Sequence, residues 1–421
     1  MVPACAAARP AFAPAAALVL LACEPNRPFE PDRSGGPNTA VALSTYFPPP
    51  ESGGGWRKVT DAGRVADLGI NRDRLQSLGS YLMSLPWEQY ETGVSGYKAS
   101  NKAAIVVKDG WIVGEWYNQS GADRALYYTA SNGKTFAMLL VGNLTQAYPG
   151  LGLSATSKLY DKRWMAGGLP LTDSRKAAIT LDQVFRHTSG IIPESAHQIA
   201  DGAVQTESSW NFAPFTVGKD AQWPQSARLS YDPGRPSEYR GSTYSSVAFN
   251  HLSLLVRNVA GEEAGAYFQK AILGRIGVGR VAYKLSSGMD GAKFATAGNA
   301  LFTARDFMRL GYLMLHEGDW DGRRIFPAAW LRRFTGSTAY HNIRTNRDCR
   351  WGTKYPADMY RTAGSGQNWL LVVPSLDLIL SFNGRTPQSK ATEVERVALE
   401  RLFAAVTERY TTCSGAVVNG N

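Results

Sequence analysis

The sequence predicts an α+β fold: an antiparallel sheet flanked by terminal helices, with a mainly helical lobe inserted between the sheet-forming segments. Three observations predict it. Strand patterns stand toward both ends of the chain, at 103–117 and 368–381. The stretch between them, about 131–299, reads mostly as helix, and an amphipathic run at 390–410 closes the chain. Strands gathered from both ends around a helical insertion make a segregated layout, not an alternating β-α-β one.

The elements follow in order. Residues 1–22 carry Arg9 as their only charge ahead of the apolar stretch Ala11–Ala22. That stretch is too short to span a bilayer and suits a signal peptide. It ends Leu20-Leu21-Ala22-Cys23, which resembles a bacterial lipoprotein box. The resemblance implies a lipid anchor on Cys23 and an exported protein of the cell envelope, facing the periplasm or the exterior. Residues 23–56 are rich in Pro and Gly and are expected to be a solvated tether. Residues 57–421 are then expected to be one folded domain.

Asn71–Leu85 sets Leu75, Leu78, Leu82 and Leu85 at helical spacing and stops before Pro86. Ala103–Lys108 and Trp111–Tyr117 flank Asp109-Gly110, a tight-turn signal, and form a hairpin. Ser131–Thr145, Phe249–Val259 and Thr303–His316 read as helices, the second closed by Gly261. Asn368–Ser381 reads as two buried strands around a turn at Pro374, and Lys390–Tyr410 as the closing helix.

Composition removes several classes of function. Hydrophobic residues make up 44% of 421, enough for a core, so global disorder is excluded. The net charge of +10 is scattered, with no basic run, so no nucleic-acid partner is expected; it suits a protein beside an anionic surface. There is no C-x-x-C and no histidine cluster at ligand spacing, so no metal or other cofactor is expected. Cys5 and Cys23 lie in the leader. Cys349 and Cys413 either pair, as an exported compartment permits, or stay separate thiols.

The chemistry-bearing pattern is S-x-x-K. There is no G-x-S-x-G, and Gly133-Lys134-Thr135 lacks the leading glycine of a P-loop. S-x-x-K occurs at Ser95–Lys98, in a Gly-containing stretch, and at Ser131–Lys134, where a helix begins. On a helix, positions i and i+3 share a face, so Lys134 can reach the Ser131 hydroxyl. A helix N-terminus also offers free N–H groups to a developing oxyanion. A serine is a poor nucleophile without a base, and a lysine serves only where its surroundings lower its pKa toward roughly 7–8. The competing reading makes Ser131 a plain N-cap and Lys134 a snorkelling surface residue.

Two further segments, Ile179–Ile191 with His187-Thr188-Ser189-Gly190, and Ala297–Gly311, resemble landmarks of the β-lactamase-related serine hydrolases. That group includes class C β-lactamases, penicillin-binding carboxypeptidases, esterases and 6-aminohexanoate-dimer hydrolase. The resemblance covers Asn71–Tyr410 and implies a β-lactamase/transpeptidase-like fold. It implies Ser131 as nucleophile and Lys134 as base. The family's Tyr-x-Asn motif maps onto Tyr244-Ser245-Ser246, a form similar to the 6-aminohexanoate-dimer hydrolase branch, although Tyr340-His341-Asn342 is the literal match. Tyr244 would relay the proton, and Ser246, in place of the asparagine, would orient Lys134 or the leaving group. The third motif falls on Thr362-Ala363-Gly364 and lacks its basic residue; Arg361 could replace it only if the strand shifted. The second oxyanion donor would be the Ser365 N–H. His187 reads as a packed structural histidine.

The resemblance therefore implies a serine hydrolase that acts through an acyl-enzyme. Without the basic residue that meets a substrate carboxylate, an ester or uncharged amide is the expected substrate. The alternatives are a penicillin-binding D-Ala carboxypeptidase or β-lactamase using Arg361, and a catalytically inactive envelope scaffold of the same fold.

Overall fold

A six-stranded antiparallel sheet organises the molecule. Its order is β2 (Trp111–Tyr117), β1 (Ala103–Lys108), β11 (Leu378–Asn383), β10 (Asn368–Val373), β9 (Tyr360–Gly364) and β8 (Ile343–Thr345). The structure, a computed structural model, describes residues 43–166, 169–195, 227–284 and 296–419. Residues 1–22 and Cys23, expected to be leader and anchor, lie outside them. Among the described residues, no helix is long and apolar enough to cross a membrane.

Local chemistry explains the sheet. Asp109 and Gly110 both take positive φ, the backbone a two-residue hairpin needs to match strand twist, and so join β1 to β2. Pro374–Leu376 forms a single 3₁₀ turn between β10 and β11. Strand side chains alternate between faces. Ile105, Val107, Leu370, Val372 and Ile379 enter one core, while Val106, Trp369, Leu371, Leu380 and Phe382 enter another. The second core is closed by α2 (Arg72–Ser84, after α1 at Ala62–Asp67) and by the last helix, α10 (Ala391–Ala405).

The first core is filled by α3 (Asn132–Ala147), α4 (Lys162–Met165), α5 (Leu181–Phe185), α6 (Ser246–Ala260), α7 (Ala264–Phe268), α8 (Ala304–Leu315) and α9 (Ala328–Thr335). From Asn132 to Leu144 every residue of α3 is buried, so it runs through the core rather than along a surface. The Ser245 hydroxyl caps α6 and Gly261, in the left-handed region, ends it. A second, three-stranded sheet, β3 (Tyr127–Tyr128), β5 (Ala300–Phe302) and β4 (Val281–Tyr283), stands at the start of α3. Two short hairpins complete the described strands: β6 (Asp319–Trp320) with β7 (Arg323–Arg324), and β12 (Tyr410–Thr411) with β13 (Val417–Val418). Cys349 and Cys413 are joined in a disulfide, which ties that last hairpin to the body.

Two expectations are corrected. The closing helix ends at Ala405, not Tyr410: Val406 bridges Ile70, and the Thr407 N–H donates to Gly69 O at 2.8 Å, which makes this stretch extended. Residues 43–56 are not a solvated tether. Trp56 is 4% exposed and Phe47 packs against the first core. The Tyr312 hydroxyl donates to Tyr46 O at 2.7 Å. The aromatic residues here bury enough surface to order a Pro/Gly-rich backbone.

Candidate active site

The site is built where three backbone segments converge. Strand β3 pairs with β5 and delivers Thr129–Ser131 to the start of α3. Thr129 donates both its N–H and its hydroxyl to Ala300 O, at 3.0 and 2.8 Å. Ala130 then takes φ +47, a left-handed conformation that costs a residue with a Cβ about 1–2 kcal/mol. Glycines allow the approach: a Cβ on Gly133 would collide with Gly298, and one on Gly364 with Thr129 O.

Ser131 occupies the N-cap position of α3, but its side chain makes no capping bond. The hydroxyl instead accepts from Lys134 Nζ at 3.4 Å. Lys134 is fully buried and does not snorkel; its Nζ also donates to Ala297 O at 2.8 Å. The Lys134 ammonium lies 4.5 Å from the centre of the Tyr244 ring. Ser131, Lys134 and Tyr244 are thus brought together. Among the described residues, no hydrogen bond joins the Tyr244 hydroxyl to either partner; such contacts commonly tighten only with substrate bound.

Tyr244 is held by a buried histidine. Its ring stacks on His187 with centroids 4.2 Å apart, and His341 meets it edge-on at 5.1 Å. His187 Nδ1 accepts from the Ser245 N–H at 3.0 Å, so Nε2 carries the proton and donates to Asn342 Oδ1 at 2.9 Å. Burial, and then the Lys134 charge, hold the His187 imidazole well below its usual pKa, so it stays neutral. The literal Tyr-x-Asn match therefore supports the site from outside: Asn342 fixes His187, while the Tyr340 hydroxyl donates to Asp182 at 2.6 Å.

Ser246 is not placed as expected. It lies buried in the first turn of α6, and its hydroxyl donates to Glu194 Oε1 rather than reaching Lys134. Glu194, which the sequence did not single out, is 6% exposed. Burial pushes its carboxyl up to about 7, while Lys134 and the Ser246 hydroxyl pull the other way. Its N–H donates to Tyr244 O at 3.0 Å. The only sequence signal was its position four residues past the His187–Gly190 landmark.

The end of β9 reaches the same place. Gly364 abuts Thr129 and Ala130, which sets Ser365 in the turn beside the Ser131 segment. Arg385 Nη1 donates to the Ser365 hydroxyl at 2.8 Å, and Asn368 Nδ2 to Ser365 O at 2.8 Å. Thr362 turns toward α3 and donates to Asn132 Oδ1 at 2.5 Å. Arg361, one position away, pairs with Glu395 of α10 at 3.0 Å, on the other face of the sheet. The strand is in register, so Arg361 does not replace the missing basic residue.

A cavity of about 350 Å³ opens beside Tyr244, lined also by His187, His341, Arg344 and Arg350; Ser131 is not in its wall. Arg186 and Arg350, also lining it, are paired with Asp182 and Asp348.

A half-buried serine over a buried lysine in Ser-x-x-Lys spacing, at a helix start beside a strand edge, is a serine-hydrolase arrangement, and the sequence comparison decides its family. The beta-lactamase family model matches residues 88–402. The chain belongs to the beta-lactamase family. Solved beta-lactamase-like structures agree on the fold. A penicillin-binding protein homologue from Caulobacter crescentus is 14% identical, with a TM-score of 0.53, over 78% of this chain and 98% of that one. A Bacillus anthracis protein assigned to the 6-aminohexanoate-dimer hydrolases is 16% identical, with a TM-score of 0.54, over 71% and 78%. A hydrolase with promiscuous acyltransferase activity is 14% identical, with a TM-score of 0.53, over 78% and 97%. At these identities the likeness is one of fold. No curated protein matches the sequence. The chain carries the beta-lactamase-family serine hydrolase fold, with the α+β architecture its strands and helices predict.

Proposed function

We propose that the protein is a serine hydrolase that cleaves an ester or uncharged amide through an acyl-enzyme on Ser131. The carrying observation is the buried Lys134 Nζ on an Ser131 hydroxyl that makes no capping bond. Lys134, with Tyr244, takes the Ser131 proton as Oγ attacks the carbonyl, and returns it to the leaving group. The N–H groups of Ser131 and Ser365 hold the oxyanion, and water releases the acyl group. The β9 edge supports an uncharged substrate: Thr362 is committed to Asn132 and Arg361 to Glu395, so neither meets a carboxylate.

One observation favours a second reading, a penicillin-binding carboxypeptidase or β-lactamase. Arg344 lines the cavity beside Tyr244 and forms no ion pair among the described residues. It is a candidate partner for a substrate carboxylate. Intact-mass analysis after exposure to a nitrophenyl ester and, separately, to a penicillin separates the readings. An acyl-ester adduct on Ser131 that forms faster than water clears it is expected, and Ser131→Ala abolishes both the adduct and the nitrophenol burst. A penicillin adduct that turns over supports the second reading; no adduct on the folded protein supports an inactive scaffold. A signal peptide followed by a lipidated Cys23 would place this chemistry in the cell envelope, a setting that suits the Cys349–Cys413 disulfide. Loss of radiolabelled palmitate incorporation in Cys23→Ala checks it.

A further inference from the structure

Glu194 is a buried acid that the proposed reaction does not use. One short segment connects it to the base: Tyr244 lays its ring against the Lys134 ammonium, its carbonyl accepts the Glu194 N–H, and Ser246 donates to the Glu194 carboxylate. The Glu194 carboxyl and Lys134 also feel each other's charge. The residue that replaces the family's asparagine is therefore spent on holding a carboxylate near the base. A carboxylate buried only to be hydrogen-bonded by one hydroxyl is a costly structural choice, because an uncharged group would fill the space at lower cost.

We propose that Glu194 is a positioning residue for Lys134, whose ionisation sets the pH at which Lys134 can accept the Ser131 proton. The inference rests on the Ser131–Lys134 reading above. The ionised carboxylate favours the lysine ammonium; the protonated acid, or a neutral amide, releases it toward the free amine that the base must be. Besides Glu194, the titratable groups facing Lys134 are Tyr244, His187 and His341. Burial holds the His187 and His341 imidazoles below their usual range and so neutral, which leaves Glu194 as the carboxylate that answers the Lys134 charge. Ser246 holds that carboxylate in place.

Two measurements test this. In the first, kcat/KM for a nitrophenyl ester is followed against pH for wild type, Glu194→Gln and Glu194→Asp. Glu194→Gln moves the acid limb to lower pH by about one unit, the usual scale for one nearby charge; Glu194→Asp keeps the wild-type limb. Superimposed limbs in folded Glu194→Gln and wild type overturn the proposal. The second measurement needs no turnover. In protein carrying ¹³C-carboxyl glutamate, the Glu194 resonance, assigned by its loss in Glu194→Gln, is titrated in wild type and in Lys134→Met. Removing the lysine charge raises the midpoint by about one pH unit; an unchanged midpoint overturns the proposal. A protein that hydrolyses no ester yet shows this coupling refutes the hydrolase reading while leaving the Glu194–Lys134 coupling standing.

Discussion

At the scale of the residue, Asp377 shows how the fold sets a charge against its own stability. It lies in the left-handed region after the Pro374 turn and is fully buried. Its Oδ2 accepts the Ser44 N–H at 2.6 Å, while Oδ1 has no hydrogen-bond partner among the described residues. Burial pushes its carboxyl up to about 6, against the pull of the Ser44 N–H, Lys108 and Arg57. A carboxyl with a raised folded pKa costs nothing below its unfolded pKa of about 3.9, and its cost grows until pH passes about 6. Asparagine tolerates the same backbone and can still accept from Ser44. Asp377→Asn is therefore neutral near pH 4 and stabilising at pH 8, on the order of 2 kcal/mol. Urea midpoints at the two pH values check it; a gain at pH 4 that disappears at pH 8 would reverse the argument. Glu194 and Asp377 could not be read from sequence, because a carboxylate's environment is a tertiary fact. Ser131 and Lys134 could, because i, i+3 spacing at a helix start is local. Ser246 was found, but its partner lies 52 residues away, so its role was misread.

At the scale of the element, the joint between α3 and the sheet carries the site. Asn132 Nδ2 donates to Thr129 O at 2.8 Å and to Asn368 O at 2.9 Å, while its Oδ1 accepts from Thr362. One side chain thus fixes the first turn of α3 against β9 and β10, and with it the spacing between Ser131 and the Ser365 turn. Asn132→Ala leaves two or three buried polar groups unpaired, at about 1–3 kcal/mol each, and loosens that spacing. The expected outcome is a fall in kcat of about a hundredfold, the scale of a displacement near 1 Å, with a much smaller change in KM. An unchanged kcat in folded Asn132→Ala would remove this joint from the mechanism. The strands and helices around it were legible because α2, the β1–β2 hairpin, β10, β11 and α8 carry strong periodicity, caps or turn residues. The three-stranded sheet of β3, β4 and β5 was not, because its strands of two or three residues are too short for any period.

At the scale of the whole molecule, the segregated α+β layout followed from where strands and helices lie in the chain, but the edge of the folded body did not. Composition made 23–56 a tether, whereas 43–56 form a strap across the first core. Its anchor is Arg309 of α8, fully buried. Arg309 donates to Pro48 O at 2.8 Å, to Pro49 O at 2.6 Å and to Glu51 Oε1 at 3.0 Å; from outside the strap it has Ile276 O at 3.1 Å and the Asp306 carboxylate at 3.7 Å. The prolines that marked the segment as solvated supply carbonyls that hydrogen-bond a buried cation, while Glu51 and Asp306 oppose its charge. A chain beginning at Arg57 loses the burial of Trp56, about 1.5–3 kcal/mol, and a smaller share for half-buried Phe47. It also takes both proline carbonyls and the Glu51 carboxylate from a buried guanidinium, leaving Ile276 O and the more distant Asp306, a loss of about 3–5 kcal/mol. The sum reaches the usual 5–15 kcal/mol of total stability, so this truncation is expected to be insoluble or largely unfolded at 25 °C. Glu51→Gln, which removes one charge but leaves both proline carbonyls, is expected to lower the melting temperature by only a few degrees. Differential scanning calorimetry of the two proteins distinguishes strap from tether. A chain beginning at Arg57 that melts at the wild-type temperature would show that residues 43–56 only rest on the body, and that α8 can hold Arg309 without them.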